Sequence, residues 1–318
     1  MPYWQLVTGS FAIAWRHKYL WILAVFAAEG GLSGSSGFNY SGPQPGTSSR
    51  QTEPNFSAIP QQVQSWLGHH LGLVIAVTVL SILVAVALFV LAAVCEGALV
   101  RASAEHDADR PFGLGQAWRS GVATMWTIIR FRLLLIALGL PALVAVIAVI
   151  AGFVAAIVNG RVGVAIAIGL IGFLVLLAAI VYGIYLSFLD RLGARAAVLE
   201  QRGARAALAR GHRLLVKRPA RVLLAWLLSI AVAFVVGICA GIVLAVISLP
   251  AIGAGIAAYS GGISPAFWLI VVVSAPILLG AGLVVGGFVG AQSSTYWTMT
   301  FRRLELDQVT PAVSPSSS

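Results

Sequence analysis

Three groups of residues in this 318-residue chain carry side chains that could do chemistry. His106-Asp107-Ala108-Asp109 is a compact run of metal-ligand types, but Pro111 follows it and no second ligand group stands nearby in sequence. A structural or catalytic metal needs three or more converging donors, and this run does not supply them. Glu96 and Asp190 lie close to the ends of long apolar runs. A charge at the centre of a membrane helix costs about 2.5–3.5 kcal/mol, so both are read as intramembrane polar pairs, with Arg101 or Arg191 or with basic groups of a neighbouring segment. The third group is Arg205, Arg210, Arg213, Lys217, Arg218 and Arg221, directly ahead of eighty residues without Asp, Glu, Lys or Arg. Beside an anionic leaflet each such cation gains about 1 kcal/mol, which makes these six candidate contacts to lipid headgroups.

Other chemistries lack their residues. There is no His-Glu-x-x-His pair, phosphate loop or nucleophile elbow. Cys95 and Cys239 both sit in apolar runs, which suits small packing residues better than a disulfide framework. His69 and His70 adjoin Trp66 where an interface is expected. No catalytic, cofactor-binding or metal-ligating residue is assigned, no cofactor is expected, and the expectation is a protein that is not an enzyme.

The elements that carry these groups follow from composition. Hydrophobic residues make up 59% of the chain and charged residues 9%, against about 25% charged in a soluble domain. About 20 helical residues cross a hydrocarbon core, because each rises ~1.5 Å and must satisfy its backbone within the segment. Spans are predicted near 13–33, 70–98, 133–158, 162–188, 222–248 and 266–291, an all-α polytopic bundle of about six helices. Arg16 and Lys18 ahead of Val25-Phe26-Ala27 also fit a cleaved signal. The amphipathic residues before Arg16 favour a retained helix, and cleavage would leave five spans in the same orientation.

Eighteen of the 20 Lys and Arg residues fall on one side of these spans, and only Arg50 and Arg161 on the other. The positive-inside rule places that side, with both termini, in the cytoplasm of a bacterial inner membrane. The expected organisation is one transmembrane domain over 1–307, with a flexible external loop over about 34–68 and a disordered Ser/Pro-rich tail over 308–318. The partners implied are the bilayer and anionic lipids of its cytoplasmic face. A protein partner or a second copy of the chain is left open, and nucleic acid is not expected despite the net charge of +10.

An internal repeat is suggested by FAIAWRHKYLWILAVFA from Phe11, QAWRSGVATMWTIIRFRLLLIALG from Gln116 and ALARGHRLLVKRPARVLLAWLLS from Ala207. Each reads as an interfacial helix that leads into an outward span, followed by an inward one. Trp4, Val7, Phe11 and Trp15 recur at helical spacing, as do Leu114, Trp118, Val122, Met125, Trp126 and Ile129. In the third copy the cations favour one side while Ala204, Leu208 and Leu215 line the other, so these helices are expected to lie apolar face down in the headgroup plane. Pro219 suits the first turn of the span that follows. Gly282, Gly286 and Gly290, with Gly237 and Gly241, form small-residue stripes for close helix packing, and Pro141 and Pro276 are expected kinks.

The order AWRHKYLWILAVFA, RPFGLGQAWRSG, YLSFLDRLGARAAVLE, ALARGHRLL and STYWTMTFRRL resembles a bacterial family of six-span proteins. That family is related to the membrane domain found beside some glycerophosphoryl diester phosphodiesterases. The likeness covers roughly residues 3–305 and rests on hydropathy and basic residues. It implies the fold; with no phosphodiesterase domain in this sequence, it brings no catalytic residue. The function expected is a membrane- or lipid-organising or partner-binding component, the alternative being a transporter or channel for a small or lipidic solute.

Overall fold

The computed structural model describes residues 3–27, 59–261 and 265–309, with side chains over 3–27, 70–258 and 267–306. Of the loop expected over about 34–68, residues 34–58 lie outside the described residues and 59–68 are helical instead, opening α3; of the tail expected over 308–318, residues 310–318 lie outside the described residues and 308–309 still belong to α8. Eight helices follow in order: α1 (Tyr3–Arg16), α2 (Tyr19–Phe26), α3 (Ile59–Asp107), α4 (Leu114–Val158), α5 (Val162–Leu199), α6 (Ala204–Lys217), α7 (Pro219–Gly261) and α8 (Pro265–Val309). There is no strand among the described residues.

The chain is a helical membrane bundle, and α3, α4, α5, α7 and α8 each contain a stretch long and apolar enough to cross a membrane. Counting α3 from its kink at His70, these helices have 38 to 45 residues. At ~1.5 Å per residue they run roughly 57–68 Å, about twice a hydrocarbon core. Their two halves differ. Every side chain from His70 to Leu88 of α3 is exposed apart from half-buried Val74, whereas Val94, Cys95, Leu99, Val100 and Ala102 further along are buried. The same change occurs in α5, which buries Phe188, Leu189 and Leu192 to Val198, and in α8, which buries Tyr296, Trp297, Phe301 and Leu304. Lipid tails solvate leucine as well as another leucine does, so the halves within the membrane gain little by packing together. The core forms instead at the charged end, where the helices leave the hydrocarbon.

Three contacts of this head depend on glycine. A Cβ on Gly121 of α4 would stand 2.3 Å from the Val94 carbonyl oxygen of α3. One on Gly287 of α8 would stand 2.7 Å from the Trp21 oxygen of α2, and one on Gly211 of α6 would stand 3.2 Å from the backbone nitrogen of Gly193 in α5. The expected stripe is therefore displaced: Cβ atoms at Gly282, Gly237 and Gly241 would meet nothing within 4 Å, while Gly286 is half-buried and Gly290 buried. Farther along, α4 and α5 still face each other through small residues, a Cβ on Gly172 standing 2.5 Å from Val149 Cγ1.

Several boundaries differ from expectation. The first span is not one helix over 13–33: the chain breaks at His17-Lys18, and the Trp21 indole N–H donates to the Ala14 carbonyl at 2.7 Å, satisfying an acceptor that the end of α1 leaves open. The eight described residues of α2 span only ~12 Å, and the remainder of that prediction lies outside the described residues. The second interfacial helix is not separate either, because the chain runs as one helix from Leu114 to Val158 with no break between the amphipathic stretch and the span. The third copy, like the first, has its break, at Arg218, with Pro219 opening α7 as expected. Helices α4 and α8 continue through Pro141 and Pro276. Beside Pro141, the Tyr182 hydroxyl donates to the Leu138 carbonyl at 3.0 Å, supplying a donor where the proline weakens the ladder.

Candidate functional site at the charged end

Helix α6 is the most polar element of the head. Its buried stripe is Ala207, Gly211 and Leu214, with Ala204, Leu208 and Leu215 partly buried beside it. Because Gly211 seats it on the Gly193 backbone, the apolar side rests on protein rather than in the headgroup plane, and the opposite side is left facing outward. On that side Arg205, Arg213 and Lys217 are exposed; just past the helix end Arg218 is partly exposed, and Arg221 in the first turn of α7 is exposed.

Arg210, expected among the lipid contacts, is drawn inward. It donates to Glu200 through Nε and to Glu305 through Nη2, both at 3.0 Å, and Arg202 also donates to Glu200. Burial raises the Glu200 carboxyl, but hydrogen bonds with Glu305, Arg210 and Arg202 outweigh it and hold the group below its ordinary value. The cluster ties the α5–α6 junction to the last turns of α8.

Glu96 is 4% exposed, and Arg132 donates to its Oε2 from Nε at 3.0 Å and from Nη2 at 2.5 Å. Of the partners expected for Glu96, the structure therefore shows the basic group of the neighbouring segment. Arg101 instead pairs with Glu105 at 2.8 Å. Asp190 is half-buried on α5, next to Arg191.

The His106 run is occupied by internal contacts. His106 stacks on His17 with ring centroids 3.6 Å apart and planes 8° from parallel, and its Nε2 lies 2.5 Å from the Tyr19 hydroxyl. The Tyr19 hydroxyl donates to the Phe112 carbonyl at 3.1 Å, so the ring nitrogen supplies the proton between them. Asp107 accepts from Arg302. Burial, then the neighbouring Arg16 charge, lowers the His17 pKa, and burial pushes Tyr19 up to about 12. Among the described residues no three His, Cys, Asp or Glu side chains gather as metal ligands.

A cavity of about 190 Å³ opens between α7 and α8 beside α5, lined by Arg191, Trp226, Ser229, Gln292, Ser293, Tyr296 and aliphatic side chains. The Arg191 guanidinium stands 5.0 Å from the centroid of the buried Trp297 ring, within cation–π range. Sequence reasoning did not find this cavity, nor the His17–His106 stack, nor Arg132. A faint trace existed in Ser229, Gln292 and Ser293, polar residues within the uncharged eighty.

No curated protein and no solved structure matches this chain. A family model matches residues 11–311, covering the head and all five long helices. The chain belongs to that family, a family of unknown function (DUF7544).

Proposed function

We propose that this protein is a non-enzymatic membrane component that holds its charged end at the cytoplasmic face of a bacterial inner membrane and gathers anionic lipids there. The observation that carries the reading is α6: protein packing takes its apolar side, Arg205, Arg213 and Lys217 share the outward one, and exposed Arg221 follows in the first turn of α7. At about 1 kcal/mol per cation near an anionic leaflet, the four supply roughly 4 kcal/mol of preference. The bias of Lys and Arg toward this end supports the cytoplasmic orientation. The likeness to the membrane domain beside some glycerophosphoryl diester phosphodiesterases belongs to the same proposal, as does a partner protein at this surface. Transport of a small or lipidic solute is a second reading, and the cavity between α7 and α8 is the feature on its side.

The test is lipid selectivity in nanodiscs of mixed phosphatidylglycerol and phosphatidylcholine, read by energy transfer from tryptophan to a labelled lipid of either class. Wild type should enrich the anionic probe. The combined variant Arg205→Gln, Arg213→Gln, Lys217→Gln and Arg221→Gln should not, and equal enrichment by both would sink the proposal.

A further inference from the structure

The cavity between α7 and α8 lies away from the α6 cations and has a chemistry of its own. Ser229 is eight residues from Arg221, and Ser293 nine from Arg302, so the polar lining sits roughly 12–14 Å along each helix from its nearest charge. At that depth a polar side chain needs a partner. Two hydroxyls have one: Ser229 donates to the Trp226 carbonyl at 2.8 Å, and Tyr296 to the Ala225 carbonyl at 2.9 Å. Their oxygens are left with lone pairs only. Gln292 donates through Nε2 to Ser10 at 3.1 Å, and its Oε1 is an acceptor. The Ser293 hydroxyl meets no hydrogen-bond partner among the described residues.

The lining thus has two ends. Arg191 and Ser293 offer a cation and a donor, which suit phosphate. Ser229, Tyr296 and Gln292 offer acceptors, which suit hydroxyl groups. The volume of about 190 Å³ is room for a phosphate with a small hydroxylated substituent and too little for acyl chains. Ile230 and Ala233, also on the lining, are exposed on the flank of α7, so the cavity reaches the surface where acyl chains lie.

We propose that this cavity binds the headgroup of an anionic, hydroxyl-bearing phospholipid, with its phosphate at Arg191 and Ser293, its hydroxyls at the acceptors and its chains along α7. The site goes beyond the α6 reading and can fail separately from it. The experiment is native mass spectrometry of the full chain in neutral detergent, titrated with phosphatidylglycerol, phosphatidylcholine or soluble glycerol phosphate. Wild type should hold one phosphatidylglycerol about tenfold more tightly than phosphatidylcholine, a difference of ~1.4 kcal/mol. Arg191→Gln, which removes the cation, and Ala233→Phe, which fills the space and keeps it, should each abolish that preference. The pair Arg205→Gln and Arg213→Gln should leave it intact. Wild-type preference in both cavity variants overturns the proposal; glycerol phosphate bound as tightly as the lipid overturns the lipid as occupant. If Arg191→Gln fails to fold, Ala233→Phe decides, since position 233 is exposed and accepts a larger apolar side chain.

Discussion

Replacing Arg132 with Gln should destabilise the protein more than any other neutralising change on α4. The reason is its partner: the Glu96 side chain is 6% exposed and takes two donors from Arg132, whose own side chain is 18% exposed. Removing the guanidinium leaves a buried carboxylate without the charge that balances it, a loss of about 3–5 kcal/mol. In a chain of this size that lowers the unfolding midpoint by roughly 4–8 °C. Arg132→Lys should fall between, since an ammonium keeps the charge and loses the planar fork. Glu96→Gln alone should also destabilise. The double variant should recover, because two neutral amides can hydrogen-bond to each other, giving a coupling of about 1–3 kcal/mol. The assay is a heating series in detergent followed by fluorescence-detected gel filtration. Additive losses in the double variant, or a loss under ~1 kcal/mol for Arg132→Gln, would refute the argument that this pair joins α3 to α4.

Two further outcomes follow from the head. Gly121→Ala should destabilise by about 1–3 kcal/mol through overpacking against the Val94 carbonyl, whereas Gly282→Ala, which meets nothing, should gain up to ~1 kcal/mol of helix propensity; thermal midpoints of equal sign would contradict this. His17 has its pKa lowered from 6.5 by burial and Arg16, so the unfolded chain binds its proton first. The contribution of the His17–His106 stack should be complete above pH 6.5 and fade as pH falls below it. His17→Phe, which keeps a ring and removes one of the two titrations, should reduce the slope of the midpoint between pH 7.5 and about 5.5 without abolishing it, because burial also lowers the His106 pKa, and an unchanged slope would count against the assignment.

How far the sequence reaches depends on the range of each interaction. Spans three to six were legible because about 20 apolar residues in a row have one stable answer in lipid. Pro219 and the Arg218 break were legible because proline acts within one turn. The His17-Lys18 break was not: its stabilising bond comes from Trp21, seven residues from the Ala14 acceptor. For the glycine stripe, spacing alone cannot say which position meets a partner within the chain or in a second copy, and within the chain it is Gly287, next to the chosen Gly286, that stands against the Trp21 carbonyl. The cations of α6 were found as a group, but the departure of Arg210 to Glu200 and Glu305 depends on a helix end 95 residues away. The cavity escaped notice for the same reason, since its lining comes from three helices.

The central claim is that the outward face of α6 meets anionic headgroups. A nitroxide at Ala206, an exposed position on that helix, tests it after Cys239, the exposed cysteine, is replaced by Ala. In vesicles of mixed phosphatidylglycerol and phosphatidylcholine, the label should broaden the phosphorus resonance of the anionic lipid more than that of the zwitterionic one. Added salt should shrink the difference. Equal broadening of both lipids, or none of either, would contradict the account.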